Sequence, residues 1–238
     1  MTTINLLYKS QYDINDHIHI MIPTVGQVID QEDNYYGLVS ALTAMPIDLM
    51  VQLDDIGIDF SQITDYDLFL RLFHDLKQED TSLIFGDLDL SQFELAVNEE
   101  NGNVVLVDAV HEIVIDRAIQ GQIAETLRKI HHLEKNMKRP ANKEALDFML
   151  QRARVKMRRQ RNRKSVSHLE SLIIALVNTE QYKYNFAETL DLTIYQFNES
   201  VQQIIHKIDY NNRMYGVYTG NISAKDLSQD DLNWLIHK

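Results

Sequence analysis

Three groups of side chains in this sequence have the type and spacing for chemistry. His17 and His19 stand two apart in His-Ile-His-Ile-Met-Ile. On a strand that spacing turns both imidazoles to one face, where they could hold a metal ion. A zinc site takes three or four ligands, and no His-x-x-x-His or Glu-x-x-His pattern supplies the others. The ordinary reading, two solvent-facing strand residues, therefore carries more weight. Asp54-Asp55 and Asp87-Leu-Asp89 could act as acid and base or as divalent-cation ligands. With 35 acidic residues in 238, however, such pairs arise by chance. The chain has no cysteine, which excludes disulfides, thiolate metal sites and thiol catalysis. No Gly-x-x-x-x-Gly-Lys-Ser/Thr, Gly-x-Gly-x-x-Gly or Gly-x-Ser-x-Gly string appears. The expectation is a protein that is not an enzyme, with no cofactor and no metal site.

The third group is cationic: Arg152, Arg154, Lys156, Arg158, Arg159, Arg161, Arg163 and Lys164, eight cations in 13 residues without an acid. These residues are the candidate partner-binding site. On a helix they fall on several sides at once, so the segment needs solvent, a polyanion or an acidic protein surface. The rest of the chain bears on that choice. Residues 1–126 carry four basic against 23 acidic side chains, a net of −19. Residues 127–183 carry 15 against five, a net of +10, and residues 184–238 are near balance at −3. A free nucleic-acid binder is poorly served by so acidic a half. Docking on an acidic protein face, the chain's own or a partner's, is favoured over nucleic acid by roughly two to one on this electrostatic ground.

The elements that must position these residues divide near residue 115. Ile4–Tyr8 and His17–Ile22 read as two strands joined through Asn15-Asp16. Helical spacing follows from Thr24, a new helix begins at Pro46, and Thr64 or Asp65 can cap another. Gln92–Asn98 and Asn103–Val107 flank Asn101-Gly102, a hairpin signal, and Ile113–Ile115 is a third strand or the entry to a helix. From Asp116 the pattern is helical. Ile119, Ile123, Leu127, Ile130 and Leu133 form one apolar stripe, with His131 and His132 read as surface. Asn142, Ser167 and Thr193 are N-cap candidates, Gly216 and Gly220 stop signals, and Gln229–His237 a last short helix. Phe186–Val201 scans like a helix-turn-helix, but the second helix lacks cations before Lys207, so plain helix packing is the better reading. The expected fold is α+β, mainly α: a small N-terminal β-hairpin and a central β-hairpin with helices, followed by a helical C-terminal bundle. The expected units are an acidic α+β domain over 1–115 and a helical domain over 116–238 that carries the basic helix 152–164. No apolar run is long enough to span a membrane, and the N-terminus lacks a signal-peptide pattern.

Four strings carry a resemblance: Ile22-Pro-Thr-Val-Gly26, Met50 to Asp59, Ser82 to Asp89, and Asp231-Leu-Asn-Trp-Leu235. They are similar to a family of tailed-bacteriophage morphogenesis and structural-module proteins from phages of Gram-positive hosts. The ending, Leu232-Asn-Trp234-Leu, also resembles tail-assembly chaperones. The resemblance implies a non-enzymatic virion-assembly role, as tail-assembly chaperone or minor structural component, with other phage structural or tail proteins as partners. It places the protein in the host cytoplasm or the virion. The alternative is a nucleic-acid-binding module that uses helix 152–164. In the assembly role, Met214, Tyr215, Tyr218 and Trp234 are candidate apolar anchors, although core packing is the plainer role for Trp234.

Overall fold

The computed structural model describes residues 5–99, 102–161 and 167–235. The chain is α+β and mainly helical, with two small antiparallel sheets. Strands β1 (Gln11–Asp13) and β2 (His19–Met21) pair with Tyr12 opposite Ile20. The Asn15 side chain makes the turn by accepting from the backbone N–H groups of His17 and Ile18 at 2.9 and 2.8 Å. The first strand thus lies later than the apolar run Ile4–Tyr8. Leu6 is fully buried, but in a loop. The second sheet has the order β3 (Glu94–Val97), β4 (Val104–Asp108), β5 (Ile113–Ile115), so Ile113–Ile115 is a strand.

Between the sheets run α1 (Val25–Asp30), α2 (Glu32–Thr43), α3 (Met50–Asp55), α4 (Asp65–Leu76) and α5 (Ser82–Phe85). Pro46 opens a short 3₁₀ turn, Pro46–Leu49, that leads into α3. After β5 come α6 (Arg117–His131), α7 (Lys143–Arg161), α8 (His168–Val177), α9 (Phe186–Asp191) and α10 (Ile194–Tyr218). The caps are local chemistry: Thr64 and Thr193 each close a capping box, with Asp67 and Gln196. Asn142 Oδ1 accepts from the backbone N–H of Ala145, and Ser167 Oγ from that of Glu170.

Helix α6 is the centre of the packing. It touches α2, α4, α10, β2 and β5, and its Ile123, Leu127 and Ile130 are buried. Ile18, Ile20 and Ile22 alternate into the same core, which continues through Ile194, Phe197 and Val201 of α10. The two chain regions are also stitched by backbone. The Val25 N–H donates to the Leu192 carbonyl, and the Ile194 N–H to the Pro23 carbonyl, each at 2.8 Å. A second, smaller core holds Met45, Ile47, Leu53, Phe60 and Leu68, with Leu146 and Met149 of α7 packed against it. Helix α10 runs through the buried Gly216 to Tyr218, because the absence of a Cβ there admits Ile222 of the returning tail. That tail is a strap, with turns rather than helix over residues 229–235. No helix among the described residues is long and apolar enough to cross a membrane.

Candidate functional site: the basic helix

Helix α7 lies on the surface, and none of its described side chains is completely buried. Its inward stripe, Leu146, Met149, Leu150, Ala153 and Met157, is half-buried at helical spacing. Beside that stripe Arg154 reaches back to the acidic half of the chain. Its Nη2 sits 2.6 Å from Asp54 Oδ2 and 2.7 Å from Asp55 Oδ1. Both carboxylates stand at the C-terminal end of α3, where the helix dipole disfavours negative charge, so the guanidinium relieves two like-charged groups at once. The hydrogen bonds that Arg154 donates to Asp55 and Asp54, with the charge of both carboxylates, hold its pKa above the ordinary value. The aspartate pair that could have been a cation site is thus occupied by a side chain of the chain itself. A second clamp stands nearby. Lys135 Nζ lies 2.9 Å from Asp65, whose carboxyl stays below the ordinary carboxylate range; burial opposes this shift, and the Lys135 contact, the Tyr66 N–H and the Arg117 charge together outweigh it.

The outward side of α7 differs. Arg152, Lys156, Arg158 and Arg159 are exposed, with no ion pair among the described residues. Interleaved with them are Phe148, 58% exposed, and Val155, 42% exposed. The Arg152 guanidinium stands 5.6 Å from the centre of the Phe148 ring. Phe148, Arg152, Val155 and Arg159 step by four, three and four, which aligns them along one face. Phe148 was missed from sequence because it precedes the cationic run. Its signal was available: it falls off the Leu146/Met149/Leu150 stripe. Arg161 is the last residue of α7, and its side chain, with Arg163 and Lys164, lies outside the described residues.

The histidines and the other aspartates have local roles. His17, His19, Asp87, Asp89, Asp108 and His111 line one open concavity of about 510 Å³. The polar atoms of His19, Asp89, Asp108 and His111 are engaged in short pairs and turns. His19 Nδ1 is 2.7 Å from Asp13, and Asp89 caps the turn at Ser91. Asp108 accepts from His111 Nδ1 at 2.6 Å and from the backbone of Val110 and His111, closing the β4–β5 turn; these bonds lower its pKa, that from the His111 side chain most of all. No three His, Asp or Glu side chains among the described residues form a group that could hold a metal ion.

His131, expected on the surface, is half-buried, with its ring set among aromatic neighbours. Its Nε2 is 3.0 Å from the Tyr35 hydroxyl, and the Tyr35 and Tyr36 rings meet it edge-on at 5.5 and 5.8 Å. Burial, helped by the charge of His132, pushes its pKa down to about 4.

Residues 159–237 match the model of a family described as YomV second domain. The family is Bacillus phage-derived, so the match points to a phage-related protein. The matched stretch begins in the last turn of α7 and takes in α8, α9, α10 and the strap. No curated protein and no solved structure matches the chain.

Proposed function

We propose that this chain is a non-enzymatic phage virion-assembly protein, a tail-assembly chaperone or minor structural component, that holds an acidic face of another phage structural or tail protein on the outward side of α7. The observation that carries the reading is the interleaving of Phe148 and Val155 with Arg152, Lys156 and Arg159 on a helix already fastened to its own body through Arg154. Exposed apolar side chains gain when they are desolvated against an apolar surface, and aromatic and arginine residues are the usual anchors of protein interfaces. The flanking cations steer an acidic partner and set its orientation. A phosphate backbone would use the cations and leave Val155 idle, while the acidic half would repel it. Asp54 and Asp55 hold Arg154 and Asp89 caps a turn, which supports a structural role for these three carboxylates. On this reading the protein works in the host cytoplasm and, as a structural component, in the particle.

The test is pairwise binding against each structural and tail protein of the same phage, with Phe148→Ser and Arg152→Glu/Arg159→Glu variants. One partner should bind, and both variants should lose it. Retention on DNA or RNA that falls steeply with salt, depends on the arginines and ignores Phe148→Ser would establish the nucleic-acid alternative instead. Mass spectrometry of purified particles then separates a component, which is present, from a chaperone, which is absent.

A further inference from the structure

Helix α10 carries one apolar stripe from end to end, but the body uses only its first part. Ile194, Phe197 and Val201 are buried in the main core. The stripe continues in the same three-four spacing as Ile204, Ile208, Asn211, Tyr215 and Tyr218, the heptad spacing of a coiled-coil seam. Ile204 still packs, half-buried, against the main core, and from Ile208 onward this second part leaves it. The strap covers a different side of the helix: Arg213 pairs with Asp231 at 2.9 Å, His206 and Gln203 bond the carbonyls of Asn233 and Trp234, and Lys207 lies over the Trp234 ring. The seam is open from Ile208 on, with Tyr218 84% exposed, Tyr215 70% and Ile208 36%, and Ile205 on its flank is 50% exposed.

We infer that this seam binds a second copy of the chain, with the two α10 helices antiparallel and Asn211 on the two-fold axis. Three observations select that occupant. First, the seam is self-complementary about Asn211. Ile204 and Tyr218 lie seven residues to either side, and Ile208 and Tyr215 three and four. Antiparallel pairing therefore sets Tyr218 opposite Ile204 and Tyr215 within one residue of Ile208, and an amide that both donates and accepts meets its own copy. Second, the area suffices. Tyr215, Tyr218, Ile208 and the flanking Ile205 expose roughly 450 Å² per copy, a patch of the size that marks interaction sites. Doubled, and rimmed by Leu232 and Trp234, it reaches the ~1,000 Å² that a specific interface needs. Third, the charges agree. No ionised side chain lies on the seam. Antiparallel pairing also sends the two acidic halves, each −19 over residues 1–126, to opposite ends of a contact about 21 Å long. Parallel pairing would set them side by side.

The test is the solution mass of the full chain by light scattering at tens of micromolar. The expected mass is twice 27.7 kDa. Ile208→Glu and Tyr215→Glu, at exposed positions, should each return the single-chain mass with an unchanged far-UV circular dichroism spectrum. The chain has no cysteine, so introduced thiols report the geometry. Asn211→Cys should cross-link to itself on oxidation. Ile204→Cys should not, and Ile204→Cys/Tyr218→Cys should. A single-chain mass for the unaltered protein, or self-cross-linking of Ile204→Cys, would overturn the inference.

Discussion

Lowering the pH from 7 to 5 should weaken the fold through the His131 imidazole. His131 is half-buried between α6 and α2 against Tyr35 and Tyr36, and burial pushes its pKa from 6.5 to about 4. Between those values the unfolded chain binds a proton that the folded chain refuses. The stabilisation is therefore complete above pH 6.5, falls as the pH drops through that window, and is gone below 4. The full span is worth about 3 kcal/mol at 1.36 kcal/mol per unit, of which about 2 kcal/mol is lost between pH 7 and pH 5. Carboxylates held low, such as Asp65, Asp67 and Asp108, titrate below this window and leave it clear. Urea unfolding at pH 7, 6 and 5 reads the effect as a falling midpoint at constant slope. His131→Gln keeps a hydrogen-bonding partner for the Tyr35 hydroxyl and does not titrate, so its midpoint should vary with pH by at least 1 kcal/mol less. An unaltered protein equally stable at pH 7 and 5, or a variant with the same pH dependence, would refute the reasoning.

Glu32 of α2 accepts from both Ser167 Oγ and the Leu169 N–H at the start of α8. Glu32→Ala should lower stability by about 1–2 kcal/mol in the same urea assay. Arg154→Glu would place a third carboxylate beside Asp54 and Asp55, so hydrogen exchange should quicken along α7, whereas Arg152→Glu, on the outward side, should leave exchange unchanged. Gly37 lies inside α2 with open space where a Cβ would stand. Gly37→Ala should therefore raise stability by about 0.5–1 kcal/mol, seen as a higher melting temperature.

What was legible in the sequence was what is local. Thr64, Asn142, Ser167 and Thr193 cap the helices that their spacing announces, because a cap needs only the next three residues. What was not legible depends on partners distant in the chain. His131 reads as surface beside His132, yet it follows the buried Leu127 by four and shares its side of α6; the neighbouring rings come from α2, 96 residues away. The first strand was misplaced because Leu6 and its apolar neighbours outscore Gln11–Asp13, whereas pairing is decided by the Asn15 turn and the register of Tyr12 with Ile20. Trp234 suggests a core residue and is 47% exposed, because the strap that bears it lies along one helix at the surface. In the candidate site, the cations were legible as a group. Their division into one clamped to Asp54 and Asp55 and four facing outward was not, since that follows from how α7 lies on α3.

That division bears on how the protein avoids binding itself in the wrong way. A basic helix and an acidic half on one chain invite a head-to-tail contact, in which α7 of one copy meets the acidic face of the next. Such a contact does not close and builds filaments. Arg154 counters it by occupying Asp54 and Asp55 from within, at a local concentration that no second molecule matches. The α10 seam lacks charge and closes about a two-fold axis, so it offers self-association an alternative that salt cannot tune. The solution mass should therefore remain that of a pair from low to moderate salt. The Arg154→Ala variant should gain larger species at low salt that dissolve as salt is added. Large, salt-sensitive species formed by the unaltered chain would mean that α7 finds its acidic face on another copy, and the division of labour between the two helices would fail.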